Sequence, residues 1–385
     1  MQAKFIASLA VLACAAAHTA QAGSYATLYN FQGGADSAVP AAPLTAYNGL
    51  FYGTATSGGG TGCGGFGCGT VYSVTTAGTE KVLHSFGTGT DGQDPTSGLV
   101  RIGGKFFGTT FYGGVGSNAV GTVFTITPTG TEKVIFTFLD GHGAIYDPDG
   151  NLTAVNGLLY GTTYNGGSNA NTVGGIFSVT QRGAEQDLYA FADGSDGAVA
   201  NGGLVSASGT LYGTTSQGGS GNLGTLFSYS TTGGEHVLHS FTGAGTDGEA
   251  PVAGLTLLNG VLYGVTSAGG TATAGGGTVF SYTPGGAYTV LYSFGTHSTD
   301  GLYPRANLLA WHGALYGTTE AGGAYNGGTV FKVTPSGKMT VLHDFGNGTD
   351  GNCPAAALII SGGLLYGTAA QGGTTGNGTV FTITP

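Results

Sequence analysis

Apolar and polar positions alternate along this chain in short runs broken by turn residues. The pattern is cleanest from Ala253 to Phe294, AGLTLLNGVLYGVTSAGGTATAGGGTVFSYTPGGAYTVLYSF. AGLTLL, VLYGVT, TVFSYT and TVLYSF are each about six residues, rich in β-branched and aromatic side chains and bounded by Gly, Pro or Asn, which predicts four strands. Asn259-Gly260 between the first two is a hairpin signal, because both residues tolerate positive φ. Pro284-Gly285-Gly286 predicts a second tight turn, and TSAGGTATAGGG between strands two and three a longer loop. No stretch of the unit has helical spacing over 11 or more residues.

Versions of this unit recur seven times. The aromatic of the LYG strand falls at Tyr52, Phe107, Tyr160, Tyr212, Tyr263, Tyr316 and Tyr366, spaced by 50 to 55 residues. A Gly follows each, and a Leu stands eight residues before each: Leu44, Leu99, Leu152, Leu204, Leu255, Leu308 and Leu358. A unit of about 50 residues with four strands fits a propeller blade; a β-helix coil is shorter, and a leucine-rich repeat is half as long with one strand. The sequence ends GTVFTITP, after a third strand, whereas YATLYNF at residues 25–31 matches the fourth-strand segments KVLHSF at 81–86 and TVLHDF at 340–345. The expectation is therefore an all-β, seven-bladed β-propeller of four-stranded blades, its last blade closed by an N-terminal strand, which leaves no open ring edge.

The LYGTT–GG–GTVF–P–G–VLHSF pattern, seven times after an export leader, resembles the Gloeo/Verruco (GloVer) tandem-repeat proteins. The resemblance spans nearly all of residues 23–385. It implies an exported bacterial protein and brings no catalytic residues with it. Members often end in a C-terminal sorting anchor, which GTVFTITP does not resemble. The layout of NG hairpin, LY strand and GG loop is also kelch-like, an analogy of fold alone.

Composition then narrows the partners. Charged residues are 7% and Gly is 80 of 385, yet 40% of the chain is apolar, including 20 Tyr and 20 Phe, enough to build cores. A net charge of −10 argues against nucleic acid and anionic membranes as partners. Residues 1–22 read as a secretory signal peptide: Lys4, then the apolar FIASLAVLACAAA, then the small-x-small site Ala20-Gln21-Ala22. Lipoprotein anchoring at Cys14 is a rival reading of the same stretch. No later run reaches the ~18 residues of a membrane span, so a secreted or cell-surface monomer is expected. Cys63 and Cys68, in TGCGGFGC, are expected to form a local disulfide in an oxidising compartment. Cys353 stands alone.

Candidate chemistry is sparse. Asp36, Asp91, Asp196, Asp247, Asp300 and Asp350 each lie eight residues before the marker Leu, in links such as GTDGQDP; blade three has Ala144 there, with Asp140, Asp147 and Asp149 close by. Such a ring of carboxylates reads either as a site for Ca²⁺ or for a cationic or sugar ligand, or as Asx-turns, and recurrence in nearly every blade favours the turn. No other cofactor is called for. His84, His239 and His343 share one fourth-strand position on separate blades, which reads as rim packing or solvent exposure. Three residues before the marker Leu stand Ala41, Thr96, Asp149, Asn201, Val252, Arg305 and Ala355. Thr96, Asp149, Asn201 and Arg305 vary in type as no shared structural demand requires, which makes them the candidate ligand-binding residues at the channel mouth, with Arg305 also near enough to Asp300 in sequence to neutralise it. No Ser-His-Asp set, carboxylate pair or phosphate loop is recognisable. The expected role is a binding or scaffold module for an extracellular glycan or protein. The alternatives are a carbohydrate-active enzyme with a channel-mouth site, which needs acids and a base converging there, and a purely structural envelope component.

Overall fold

The turn-bounded apolar runs form strands that pair in sequence order within each unit. The structure, a computed structural model, describes residues 24–141, 144–167, 173–192, 194–273 and 275–385. Blade five shows the plan: Thr256–Leu258, Val261–Thr266, Thr278–Thr283 and Ala287–Ser293 make one antiparallel sheet, from the innermost strand to the rim. Seven such sheets form the propeller. The hairpin turn has the expected geometry, with Asn259 at φ 52° and Gly260 at φ 79°. In blade seven, Ile359–Ser361, Leu364–Ala369 and Thr379–Ile383 are completed by Tyr25–Asn30, with Tyr25 opposite Ile383 and Asn30 opposite Thr379. The predicted signal peptide and Cys14 lie outside the described residues.

Two Gly positions in each unit have a steric cause. A Cβ on the Gly that follows the LYG aromatic would sit 2.4–2.7 Å from the ring tip of the third-strand aromatic: Tyr72, Phe124, Phe177, Phe227, Phe280, Phe331 or Phe381. That Gly is a seat for the ring, and the marker Leu closes its side. Those seven rings are fully buried, each contributing roughly 1.5–3 kcal/mol of hydrophobic stabilisation. The Gly opening the third strand has φ of 82–109° in all seven blades. In six of them the next blade's Pro packs against the place a Cβ would occupy, as Pro95 does at Gly69 and Pro304 at Gly277.

The innermost strands are three residues long, not the six the apolar runs suggest. The residue five before each marker Leu turns the chain into the left-handed region instead: Val39, Asp94, Asp147, Val199, Ala250, Tyr303 and Cys353 all have φ between 51° and 60°. This conformation costs about 1 kcal/mol or more for a non-Gly residue and is held from both sides. The Tyr303 N–H donates to Gly276 O of the preceding blade at 2.9 Å, while Glu320 N–H donates to Tyr303 O at 3.1 Å. Val39 closes the ring in the same way, donating to Asn377 O at 3.0 Å. The links also pair with the loops that follow strand two, as Gly301–Leu302 does with Ala321–Gly322. Links and these loops therefore share one end of the channel, its mouth face. Among the described residues no helix is long and apolar enough to cross a membrane.

Candidate functional site

The innermost strands begin at the mouth, so the residues just before them ring the channel. All seven side chains three before the marker Leu line one cavity of about 250 Å³. Its wall is uneven. Blades two, three and four contribute Thr96, Asp149 and Asn201; blades five, seven and one contribute Val252, Ala355 and Ala41; Arg305 enters from blade six.

The polar arc is connected. Asn201 Nδ2 donates to Asp149 Oδ2 at 3.1 Å, and the Ser216 hydroxyl donates to Asn201 Oδ1 at 2.9 Å. Burial raises the Asp149 carboxyl above the usual range, while Asn201 and Thr96 pull it back. The Thr96 Oγ1 is buried and has no partner within full hydrogen-bond geometry. Arg305 does not neutralise Asp300, as proximity in sequence suggested. Its Nε donates to Glu320 Oε2 at 2.7 Å, and both side chains are well exposed at 52% and 36%, a setting in which such a pair contributes about 0–1 kcal/mol. Asp300 instead accepts from the Tyr292 hydroxyl at 2.9 Å and Gly295 N–H at 3.0 Å. Two further polar groups line the cavity. Asn151 Oδ1 accepts Gly98 N–H at 2.6 Å and Asn307 Oδ1 accepts Gly254 N–H at 2.7 Å, each amide clasping the preceding blade.

The six link aspartates lie outside this cavity, each in its own link and each accepting local donors. Asp36 takes Gln32 and Ser37 N–H, both at 2.7 Å; Asp196 takes Ala192 N–H at 2.9 Å; Asp350 takes Gly346 N–H at 3.1 Å. Asp91 takes Gly87 and Thr88 N–H, both at 3.1 Å, and Asp247 takes Thr242 N–H at 2.9 Å. A second donor reaches each of these carboxylates from the fourth strand. It is a Tyr hydroxyl at Asp36, Asp196 and Asp300, and His Nε2 of His84, His239 and His343 at Asp91, Asp247 and Asp350, 2.9 to 3.2 Å away. The histidines thus tie the rim to the links. The signal for this pairing was in the sequence: the position two before the fourth-strand Phe is Tyr or His in six blades and Phe136 in blade three, the one blade with Ala144 for the link Asp. Among the described residues no group of three or more His, Cys, Asp or Glu is placed to hold a metal ion.

Cys63 and Cys68 form a disulfide across a loop whose Gly64, Gly65 and Gly67 all have positive φ, and Cys353 is a free thiol. Trp311 stacks on His312 at 4.0 Å between ring centroids, at the hairpin turn on the opposite face from the cavity.

No curated protein sequence matches this chain. Among solved structures the chain is similar to virginiamycin B lyase from Staphylococcus aureus, with a TM-score of 0.61 at 13% identity, covering 94% of this chain and 100% of that one. It is also similar to PorZ, a surface component of the type-IX secretion system of Porphyromonas gingivalis, with a TM-score of 0.53 at 15% identity, covering 88% and 46%. Puromycin hydrolase gives a TM-score of 0.51 at 12% identity, covering 86% and 50%. At these identities the likeness is one of fold, and one fold serves many chemistries. The sequence profile of the Gloeobacter/Verrucomicrobia repeat matches residues 17–227 and again 201–385. Seven sheets built on that repeat, with matches spanning nearly the whole chain, leave one assignment: the chain belongs to the Gloeobacter/Verrucomicrobia repeat family.

Proposed function

We propose that this protein is an exported, monomeric binding module that holds part of an extracellular glycan in the cavity at the channel mouth. One observation carries the reading. The seven repeat-equivalent residues face a single cavity, and there the repeat is broken by polar side chains of four different kinds. Concave sites with a few convergent polar groups are where ligands bind by default. Asp149 offers an acceptor, and Asn201 and Asn151 offer amide groups, a set suited to sugar hydroxyls. Arg305 can turn from Glu320 toward a ligand oxygen at small cost, because the pair is exposed. The family, the disulfide and the leader-like residues 1–22 together support export.

The test is a glycan array with the purified chain lacking residues 1–22, followed by calorimetry on any hit. Arg305→Ala and Asp149→Ala are each expected to weaken binding about tenfold, the loss of one good polar contact of about 1.4 kcal/mol. If both variants bind like the parent while changes at Trp311 and His312 abolish binding, the site is on the other face.

A further inference from the structure

Charge is divided between the two faces of the ring. Among the described residues, the links and the loops after strand two, with the strand ends beside them, carry thirteen carboxylates. They carry one Lys or Arg, Arg305, itself paired with Glu320. The opposite half, with the other two sets of turns, holds seven Lys and Arg and five carboxylates. The mouth face also carries most of the exposed large apolar side chains, Phe66, Tyr112, Val115, Leu139, Tyr303 and Tyr325.

Acid and aromatic coincide on blades two and three. The loop position that gives Asn201 its Ser216 and Arg305 its Glu320 is Phe111 in blade two and Tyr164 in blade three. The two rings stand 6.0 Å apart, and Tyr112, 51% exposed, packs edge-on against Phe111 at 4.7 Å. Asp94, Asp147 and Asp149 lie in the same sector. Asp147 is only 6% exposed; its Oδ2 accepts from Asn165 at 2.8 Å, and its Oδ1 has no partner. Among the described residues no basic side chain forms an ion pair with any of the three.

We propose that this blade-two and blade-three sector of the mouth binds a protonated amino group carried on a sugar, so that the glycan taken up is an amino-sugar polymer. The inference rests on the glycan-binding reading above and names its ligand class. An ammonium supplies the counter-charge that the sector lacks, and aromatic faces beside it attract the same cation. Tyr112 and Tyr164 offer flat surfaces for a pyranose ring, and Asn201 and Asn151 offer hydrogen bonds to its hydroxyls. The acids behave as groups without a counter-ion. Burial, then the charge of Asp149, pushes Asp94 up to about 6. Burial likewise raises Asp147, on which Asp140 and Asp149 also bear, and Asp149. Asp94, Asp147 and Tyr164 are the groups facing Tyr112. A bound cation favours the ionised carboxylates, so binding weakens as pH falls through about 6.

The experiment compares the glucosamine tetramer with its fully N-acetylated form by calorimetry at neutral pH, using the chain lacking residues 1–22. The amine form is expected to bind at least about tenfold tighter. Asp94→Asn with Asp149→Asn should remove that preference, and Tyr112→Ser should weaken both sugars. Asn is at home in the left-handed conformation of residue 94, so the double variant keeps its fold; an unchanged melting temperature checks this. Equal binding of both sugars, still lost in Asp149→Ala, overturns the amine preference and leaves the glycan reading standing. Tetralysine binding as tightly as the amino sugar overturns the assignment to sugar. Binding of neither tetramer while the array yields another glycan overturns the amino-sugar assignment alone; an array on which nothing binds overturns both readings.

Discussion

Tyr72 occupies the seat where the other six blades hold Phe, and Tyr72→Phe is expected to stabilise the protein. The side chain is fully buried, and its hydroxyl has no hydrogen-bond partner. Burial, and then the charge of Glu80, hold that hydroxyl un-ionised far above its ordinary range. The ring tip lies 2.5 Å from where a Cβ on Gly53 would sit, as in the Phe blades, so Phe fits without rearrangement. An orphaned buried hydroxyl costs about 1–3 kcal/mol, and the few lost van der Waals contacts return only a few tenths. The net gain is about 1–2 kcal/mol. With an unfolding entropy of ~2.1 cal/mol/K per residue over about 360 residues, this raises Tm by roughly 1.3–2.6 °C. Equilibrium denaturation in guanidinium measures the free energy directly. The reciprocal change, Phe280→Tyr in blade five, should cost a similar amount, because it puts a hydroxyl into the equivalent seat formed by Gly264 and Leu255. If Tyr72→Phe destabilises while Phe280→Tyr is neutral, the hydroxyl is satisfied and the reasoning fails.

Three further outcomes are expected. Glu80 and Glu185 are pushed up to about 8, and Glu132 and Glu235 to about 7, chiefly by burial. Folded values above unfolded ones mean stability that is complete below about pH 4.5 and lost as pH rises through 7 to 8. At Asp91 and Asp247 burial is outweighed by His84 and His239 and by turn donors, so both carboxyls sit low and their contribution is lost in acid. Calorimetry across pH should therefore show Tm peaking in mild acid, and Glu80→Gln should flatten the alkaline limb; a Tm rising steadily to pH 8 contradicts this. Gly264→Ala places a methyl 2.4 Å from the Phe280 ring and should cost about 1–3 kcal/mol by overpacking, with Phe280→Leu in the same chain restoring part of the loss. EDTA should leave Tm unchanged, because each link aspartate already receives protein donors, and a Ca²⁺-dependent rise of several degrees would show a metal in those links.

The repeat made the architecture legible because blade contacts are set by side chains at fixed offsets. The seated Gly, its ring and its marker Leu recur in every unit, so even the pairing of residues 25–30 with 379–383 could be read from one missing strand. The left-handed residues could not. Val39, Val199 and Tyr303 have no intrinsic preference for positive φ; bonds to the preceding blade impose it, and those bonds shorten the innermost strands. The cavity was visible as irregularity at one offset, whereas the Arg305–Glu320 pair was not. Glu320 lies on the loop after strand two, which comes beside the link only once the blade folds. The joint departure of Phe136 and Ala144 carried the signal for the rim bond, which reading the histidines and the link aspartates separately missed.

The strand that closes blade seven also sets the order of events in time. Tyr25–Asn30 is synthesised about 350 residues before its partner Thr379–Ile383. The other blades pair within about 50 residues and can form as the chain emerges, but this pairing must wait while the loop between its halves spans almost the entire chain. Until then Tyr25, Tyr29 and Phe31 have no core to enter. The ring therefore cannot lock until Thr379–Ile383 is available, and the exported protein proposed above would stay open while its earlier blades emerge.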